Sequence, residues 1–287
     1  MRKSLYLLSI VPFFLGCERV IEYSPYQSGT GKIPEDINIK AVEHLSAQSS
    51  DSFQPFTIAL IGDSHTYYDD FTDQIDYLNS IDSIDFVVHN GDITLSAIYR
   101  EFLWFHDISS SLKHPLITII GNHDFLSNGS DVYKEMFGPT NFVLDYNNCR
   151  FVFFDDIIWE KNVQDPDFEW LYNACNVREE KGPKYVFVFA HIQPWDSSFS
   201  IGNRYLFYKI LEDNDVDLSI HGHTHRFFYG YRDECEVPFL ITGDSTDREI
   251  VLLEIREDTL KVTRHPFNDE IFRKSSDILY GMLCFRC

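Results

Sequence analysis

Five short polar clusters punctuate the chain: Asp63-Ser64-His65, Gly91-Asp92, Asn122-His123, His191 and His223-Thr224-His225. Each supplies Asp, Asn or His, side chains that ligate metal ions or move protons. A lone Asp after an apolar run is ordinarily a turn or helix-capping residue. Capping does not account for a histidine two positions after Asp63, nor for the pair His223 and His225. The clusters contain no cysteine, which argues against a closed structural zinc site. Imidazole suits Fe, Zn and Mn, and carboxylate suits Mn and Mg, so the set points to a metal centre without naming the metal. His221, two before His223, shares its face of a strand and reads as a structural or supporting residue. His44, His89, His106, His114 and His265 lie outside the pattern.

Apolar runs of strand length precede the clusters. Phe56–Ile61, Asp85–His89, Leu116–Ile120, Tyr185–Ala190 and Asp217–Ile220 read as strands. Helical spacing lies between and after them, at Asp69–Asn79, Thr94–Ser110, Asp131–Phe137, Asp167–Asn176 and Arg204–Asp213. Phe142–Tyr146 and Arg150–Asp155 flank Asn147-Asn148 as a hairpin, and Phe239–Thr242, Glu249–Ile255 and Thr259–His265 add strands. In open α/β sheets ligands gather beyond the carboxyl ends of the strands, which is where the five clusters fall. The run Phe227-Phe228-Tyr229-Gly230-Tyr231 and the pair Tyr67-Tyr68 read as packing residues, with stacking on a substrate as the alternative.

Composition narrows the partners. The 287 residues are 44% hydrophobic and 24% charged, enough for one large domain and unlike a disordered chain. With 24 Lys and Arg against 45 Asp and Glu, the net charge is −21. A protein that held a nucleic acid polymer by overall charge would be basic. The same balance opposes attachment to an anionic membrane through basic patches.

Residues 1–17 have the order of an export signal: Arg2 and Lys3, an apolar stretch from Leu5 to Leu15, then Gly16-Cys17. Gly16-Cys17 resembles the end of a bacterial lipobox, with Phe14 where Leu is usual. This points to a lipoprotein of the cell envelope anchored through Cys17; a plain cleaved signal and an uncleaved anchor are the alternatives. Residues 18–52 are polar and Pro/Gly-punctuated, and read as a tether in which Asp36–Ser46 has room for a short helix. The domain is then expected at 53–270, with 271–287 as a C-terminal tail. Beyond Cys17 there are five cysteines, an odd number: Cys149, Cys175, Cys235, Cys284 and Cys287. Cys284-Phe-Arg-Cys287 reads as a local disulfide or inert thiols rather than a metal or redox motif.

Taken together, Asp63-Ser-His65, Gly91-Asp92, Gly121-Asn122-His123-Asp124, His191 and Gly222-His223-Thr-His225 resemble the calcineurin-like metallophosphoesterase pattern over roughly residues 55–265. The intervals match in order: 29 residues from Asp63 to Asp92, 30 to Asn122, 69 to His191 and 32 to His223. The resemblance implies a layered α/β sandwich of two central mixed β-sheets flanked by helices. It implies two divalent metal ions (Mn, Fe, Zn or Mg). Asp63, His65, Asp92 and His225 would hold one; Asp92, Asn122, His191 and His223 the other, with Asp92 bridging. It places His123 as the residue that protonates or stabilises the leaving oxygen. The chemistry fits: phosphoester hydrolysis loads charge onto phosphorus oxygens, and paired cations clamp those oxygens and activate a bridging water.

Departures from subfamilies narrow the reading. Protein Ser/Thr phosphatases carry an arginine after the bridging Asp that is missing here, and purple acid phosphatases a ligand tyrosine where this chain has Leu95. Enzymes cleaving a lipid A precursor show Arg in place of His123, and secreted 5′-nucleotidases carry a second domain. What remains is a compact hydrolase of small phosphodiesters or phosphomonoesters, with no nucleic acid polymer as substrate. The other class is a non-catalytic binding or assembly lipoprotein on the same scaffold.

Overall fold

The computed structural model describes residues 33–178 and 182–267, and the backbone of 278–284. The expected signal segment, Cys17 and Cys287 lie outside the described residues. Twelve strands are described: β1 (Phe56–Ile61), β2 (Phe86–His89), β3 (Leu116–Thr118), β4 (Phe142–Tyr146), β5 (Cys149–Phe154), β6 (Tyr185–Ala190), β7 (Leu218–His221), β8 (Phe228–Gly230), β9 (Phe239–Ile241), β10 (Glu249–Ile255), β11 (Thr259–Pro266) and β12 (Ile278–Cys284). Six helices accompany them: α1 (Ile37–Gln48), α2 (Tyr68–Asn79), α3 (Tyr99–Ser109), α4 (Gly129–Phe137), α5 (Phe168–Cys175) and α6 (Ile201–Asp213). The strands form two six-stranded mixed sheets, ordered β12-β11-β10-β1-β2-β3 and β4-β5-β6-β7-β9-β8. β1, β2 and β3 run parallel, as do β5, β6, β7 and β9.

The period of two along each strand builds three apolar layers. Ile58 and Leu60 of β1 face the second sheet, where they join Phe86, Val88, Phe151, Phe153, Phe187 and Phe189. Phe86 meets Phe151 edge-on across the sheets at 5.4 Å. Ala59, Ile61 and Val87 point the other way, onto Phe71, Ile75 and Leu78 of α2 and Phe102 and Phe105 of α3. Burying such a side chain is worth about 1.5–3 kcal/mol. That outweighs the weak intrinsic helix preference of an Asp- and Tyr-rich segment such as α2. On the opposite surface Val152, Phe154, Val186 and Val188 pack with Phe168 and Leu171 of α5 and Phe207 and Leu211 of α6. The expected sandwich is the observed fold.

The boundaries of the folded unit are wider than the sequence suggested. Part of the stretch expected as a tether is folded: α1 docks on the domain, with Ala41 and Leu45 in the layer between the sheets. Asn38 is buried, its side chain donating to the Thr118 carbonyl (2.8 Å) and accepting from the Thr118 amide (2.9 Å). The short helix for which Asp36–Ser46 had room is α1; its docking on the domain was not expected, because its anchor, Asn38, is itself polar. Within the expected tail, β12 extends the first sheet antiparallel to β11. The short β8, within the aromatic run, was also not anticipated; it pairs with β9, and Phe228 packs edge-on against Trp195. The Asn147-Asn148 hairpin is as expected, both residues having positive φ (49° and 59°), which suits the twist of a two-residue turn.

Candidate metal centre

Every cluster singled out in the sequence lies just past the carboxyl end of a strand: Asp63 and His65 after β1, Asp92 after β2, Asn122 and His123 after β3, His191 after β6, His223 and His225 after β7. The sheets bring them together in two groups. The ligand atoms of Asp63, His65, Asp92 and His225 lie within 4.8 Å of one another, as do those of Asp92, His191 and His223. Asp92 is common to both. Asn122 joins the second group, its Oδ1 lying 3.0 Å from His223 Nδ1. All seven expected ligands are therefore brought together.

The backbone is bent to present them. Asp63, His65, Asp92, His223 and His225 all have φ between 43° and 70°. Left-handed backbone at non-glycine residues is strained, and such residues cluster at functional sites. Gly91, at φ 90°, makes the turn before Asp92. Gly121 allows close approach: a Cβ there would lie 2.1 Å from Asp92 Oδ1.

Backbone carbonyls orient the imidazoles. His65 Nδ1 donates to the Thr94 carbonyl (3.0 Å) and His191 Nδ1 to the Asn90 carbonyl (2.7 Å). Each Nε2 is thereby turned toward Asp92 Oδ2, at 3.8 and 3.1 Å respectively. His191 Nε2 is buried, yet off the line of a hydrogen bond. A buried, unsatisfied imidazole nitrogen beside a carboxylate is what a metal ligand set looks like before the ion is counted. The donor set fits divalent metals.

The charges are tightly interdependent. Burial opposes the charge on Asp92, but His191, His123 and His65 hold its carboxyl well below the usual range. Burial alone would lower His191; Asp92 and Asp63 instead push it up to about 10. Burial lowers His65 and His223, whereas the Asp63 carboxylate raises His225.

His123 sits at the edge of the site. Its amide donates to Asp92 Oδ1 (2.9 Å), and its Nδ1 donates to the Leu95 carbonyl (2.7 Å). Its ring lies edge-on to His65, centroids 4.9 Å apart. Asp124 turns away and accepts from the Gly121, Ile93 and Thr94 amides, pinning the loops after β2 and β3 together. His221 is buried and bonded to the Ile192 carbonyl and Ser219, a structural role as expected. Tyr67 approaches His65 edge-on at 6.0 Å, so it belongs to the rim of the site.

Sequence reasoning passed over three carboxylates that touch the ligands: Glu160 on Asn122, Asp196 on His223 and Asp244 on His225. Asp244 follows a strand, the same signal as the others; Glu160 and Asp196 lie inside loops and carry none.

Comparison with solved structures finds the same fold in a purple acid phosphatase from yellow lupin (Lupinus luteus) seeds: TM-score 0.61, 14% identity, covering 82% of this chain and 54% of that one. The chain thus spans about half the length of the lupin protein. GAP50, described as the anchor in the inner membrane complex of Plasmodium, follows with TM-score 0.58 and 12% identity, covering 79% of this chain and 89% of that one. PhoD gives TM-score 0.56 and 10% identity, covering 80% of this chain and 69% of that one. No curated protein matches the sequence. The profile of the calcineurin-like phosphoesterases matches residues 56–227, more than half of the chain and the stretch that carries every candidate ligand described above, and the chain belongs to that family.

Proposed function

We propose that the protein is a metal-dependent hydrolase of small phosphoesters. The observation that carries this reading is the pair of ligand groups joined at Asp92, with His123 at their edge. Divalent ions held by Asp63, His65, Asp92 and His225, and by Asp92, Asn122, His191 and His223, would stabilise charge on phosphorus oxygens and activate a water. The chain's own residues supply the rest. The Thr94 and Asn90 carbonyls fix the tautomers of His65 and His191, leaving each Nε2 for a metal. The Leu95 carbonyl can only accept, so Nδ1 of His123 carries a proton and Nε2 is the nitrogen that faces a leaving oxygen. The net charge of −21 disfavours nucleic acid polymers as substrates.

Chelation should abolish hydrolysis across a panel of phosphomonoesters, cyclic nucleotides, nucleoside diphosphates and phospholipid head groups, and Mn, Fe, Zn or Mg should restore it on at least one. Asp92→Asn should lose most of the rate and at least one metal equivalent. A metal-loaded wild type inactive on the whole panel would instead favour a binding or assembly role.

The address belongs to the same proposal. Arg2-Lys3, the apolar stretch and Gly16-Cys17 support an exported protein lipidated on Cys17. Mass spectrometry of the mature N-terminus should find a lipid on Cys17; an intact Met1 would refute the address.

A further inference from the structure

Three carboxylates beyond the ligands bear on the centre, each from a different connection. Glu160, between β5 and α5, accepts from Asn122 Nδ2 at 3.2 Å. Asp196, between β6 and α6, brings Oδ2 to 3.6 Å from His223 Nε2, while its Oδ1 accepts from the Ser198 amide at 2.8 Å. Asp244, between β9 and β10, brings Oδ2 to 3.2 Å from His225 Nδ1, while its Oδ1 accepts from the amide and hydroxyl of Thr246 at 2.9 and 2.6 Å. These bonds fix Asp196 and Asp244 from the side away from the ligand.

Cations do not offset them. Among the described residues, the ion pairs of Asp63, Asp92, Asp196 and Asp244 are all with histidines. Lys161, which follows Glu160, is paired with Asp155 at 2.5 Å. Two divalent ions would therefore bring four positive charges to a place surrounded by five carboxylates. The ions attract a phosphate oxygen at contact. Among the described residues no Lys or Arg is ion-paired with these five carboxylates, so any further negative charge on the ester meets carboxylates.

We propose that this centre selects monoanionic phosphodiesters over dianionic phosphomonoesters. The inference rests on the phosphoesterase reading above and names its substrate class. A phosphomonoester has a second pKa near ~6, so it is a dianion at pH 8, whereas a diester keeps one charge. Both offer the same phosphorus to the metals. They differ by one charge, and in a partly buried site that charge is poorly screened from Glu160, Asp196 and Asp244.

The test separates charge from chemistry. Benzylphosphonate is a dianion at pH 8.5; benzyl(methyl)phosphinate replaces one charged oxygen by a methyl group, is a monoanion, and neither can be hydrolysed. Calorimetry on the metal-loaded full chain should find the phosphinate bound roughly tenfold more tightly. In turnover, kcat/KM for bis(4-nitrophenyl) phosphate should exceed that for 4-nitrophenyl phosphate by about tenfold or more. The combined variant Glu160→Gln, Asp196→Asn, Asp244→Asn, compared at matched metal content, should shrink that ratio by about threefold or more. Equal or tighter binding of the dianion overturns the proposal, as does an unmoved ratio in the variant. If neither ester is cleaved, the phosphoesterase reading fails, and the two binding constants still decide the charge selectivity.

Discussion

His123 differs from the histidines around it in where its ring is anchored. The rings of His65 and His191 turn to the Asp92 carboxylate, that of His225 to Asp63 and that of His223 to the Asn122 side chain, whereas the His123 ring leans outward on the Leu95 carbonyl. His123→Ala should therefore keep the metal content of the wild type and lose rate. General-acid assistance is worth ~100- to 10,000-fold for a poor leaving group, and far less for nitrophenolate, which needs little protonation. Measuring metal content and kcat/KM for alkyl and nitrophenyl esters side by side checks this. Loss of metal, or an equal penalty for both esters, would reassign the residue. The type of His123 was readable in the sequence. Its distinct orientation was not, because the Leu95 carbonyl that sets it lies 28 positions away on another loop.

Beyond the carboxyl ends of β1, β2, β3, β6 and β7 lie the loops that carry the candidate ligands. The exception in kind is α1, an added helix tied to β3 by a buried side chain. Asn38 satisfies both the amide and the carbonyl of Thr118, and Thr118 is the last residue of β3, four before Asn122. Asn38→Ala should leave the Thr118 amide without its partner, while the Thr118 carbonyl keeps the Tyr133 hydroxyl (3.0 Å), and cost about 1–3 kcal/mol. Urea unfolding should show a lower midpoint with an unchanged slope, and the metal content at low urea should be that of the wild type. A midpoint within error of the wild type would mean that α1 is not an integral part of the domain.

The molecule as a whole keeps its described thiols out of reach. Cys149, Cys175 and Cys235 are buried and free, and burial pushes each thiol up to about 12 from an ordinary value of 9.0. A thiol whose pKa rises on folding keeps its proton in the native state where the unfolded chain has lost it. The native state then binds more protons, so this contribution to stability is complete below pH 9 and is lost between pH 9 and 12. Denaturant midpoints should fall across that window. Replacing all three by Ala or Val should flatten the fall, whatever the replacement does to stability at pH 7. Alkylation at pH 8, read by peptide mapping, should spare these three until the chain unfolds. Ready labelling of any one in the native protein would show that its burial is not maintained in solution.

What the sequence by itself determined is the inventory: which residues stand beyond the strands, and that the strands are strands. Both depend on local properties, because an apolar run such as Phe187–Phe189 must be buried and a polar residue after it must not be left unpartnered. The strands and the polar clusters beyond them were readable for that reason; the seven candidate ligands, the role of His123 and the layered sheets followed from the resemblance of the whole set to the family pattern. What only the tertiary structure decided is which of these residues share a site and what surrounds them. The His223 amide meets the Asp63 carboxylate across 160 positions, and His191 meets the Asn90 carbonyl across 101. Such contacts are fixed by strand order and by the packing of one sheet on the other. The carboxylates of Glu160, Asp196 and Asp244 belong to this second kind. Nothing in their sequence neighbourhood marks Glu160 or Asp196, because a loop's course is set by the elements that close around it, and through them the fold decides the net charge that a substrate meets.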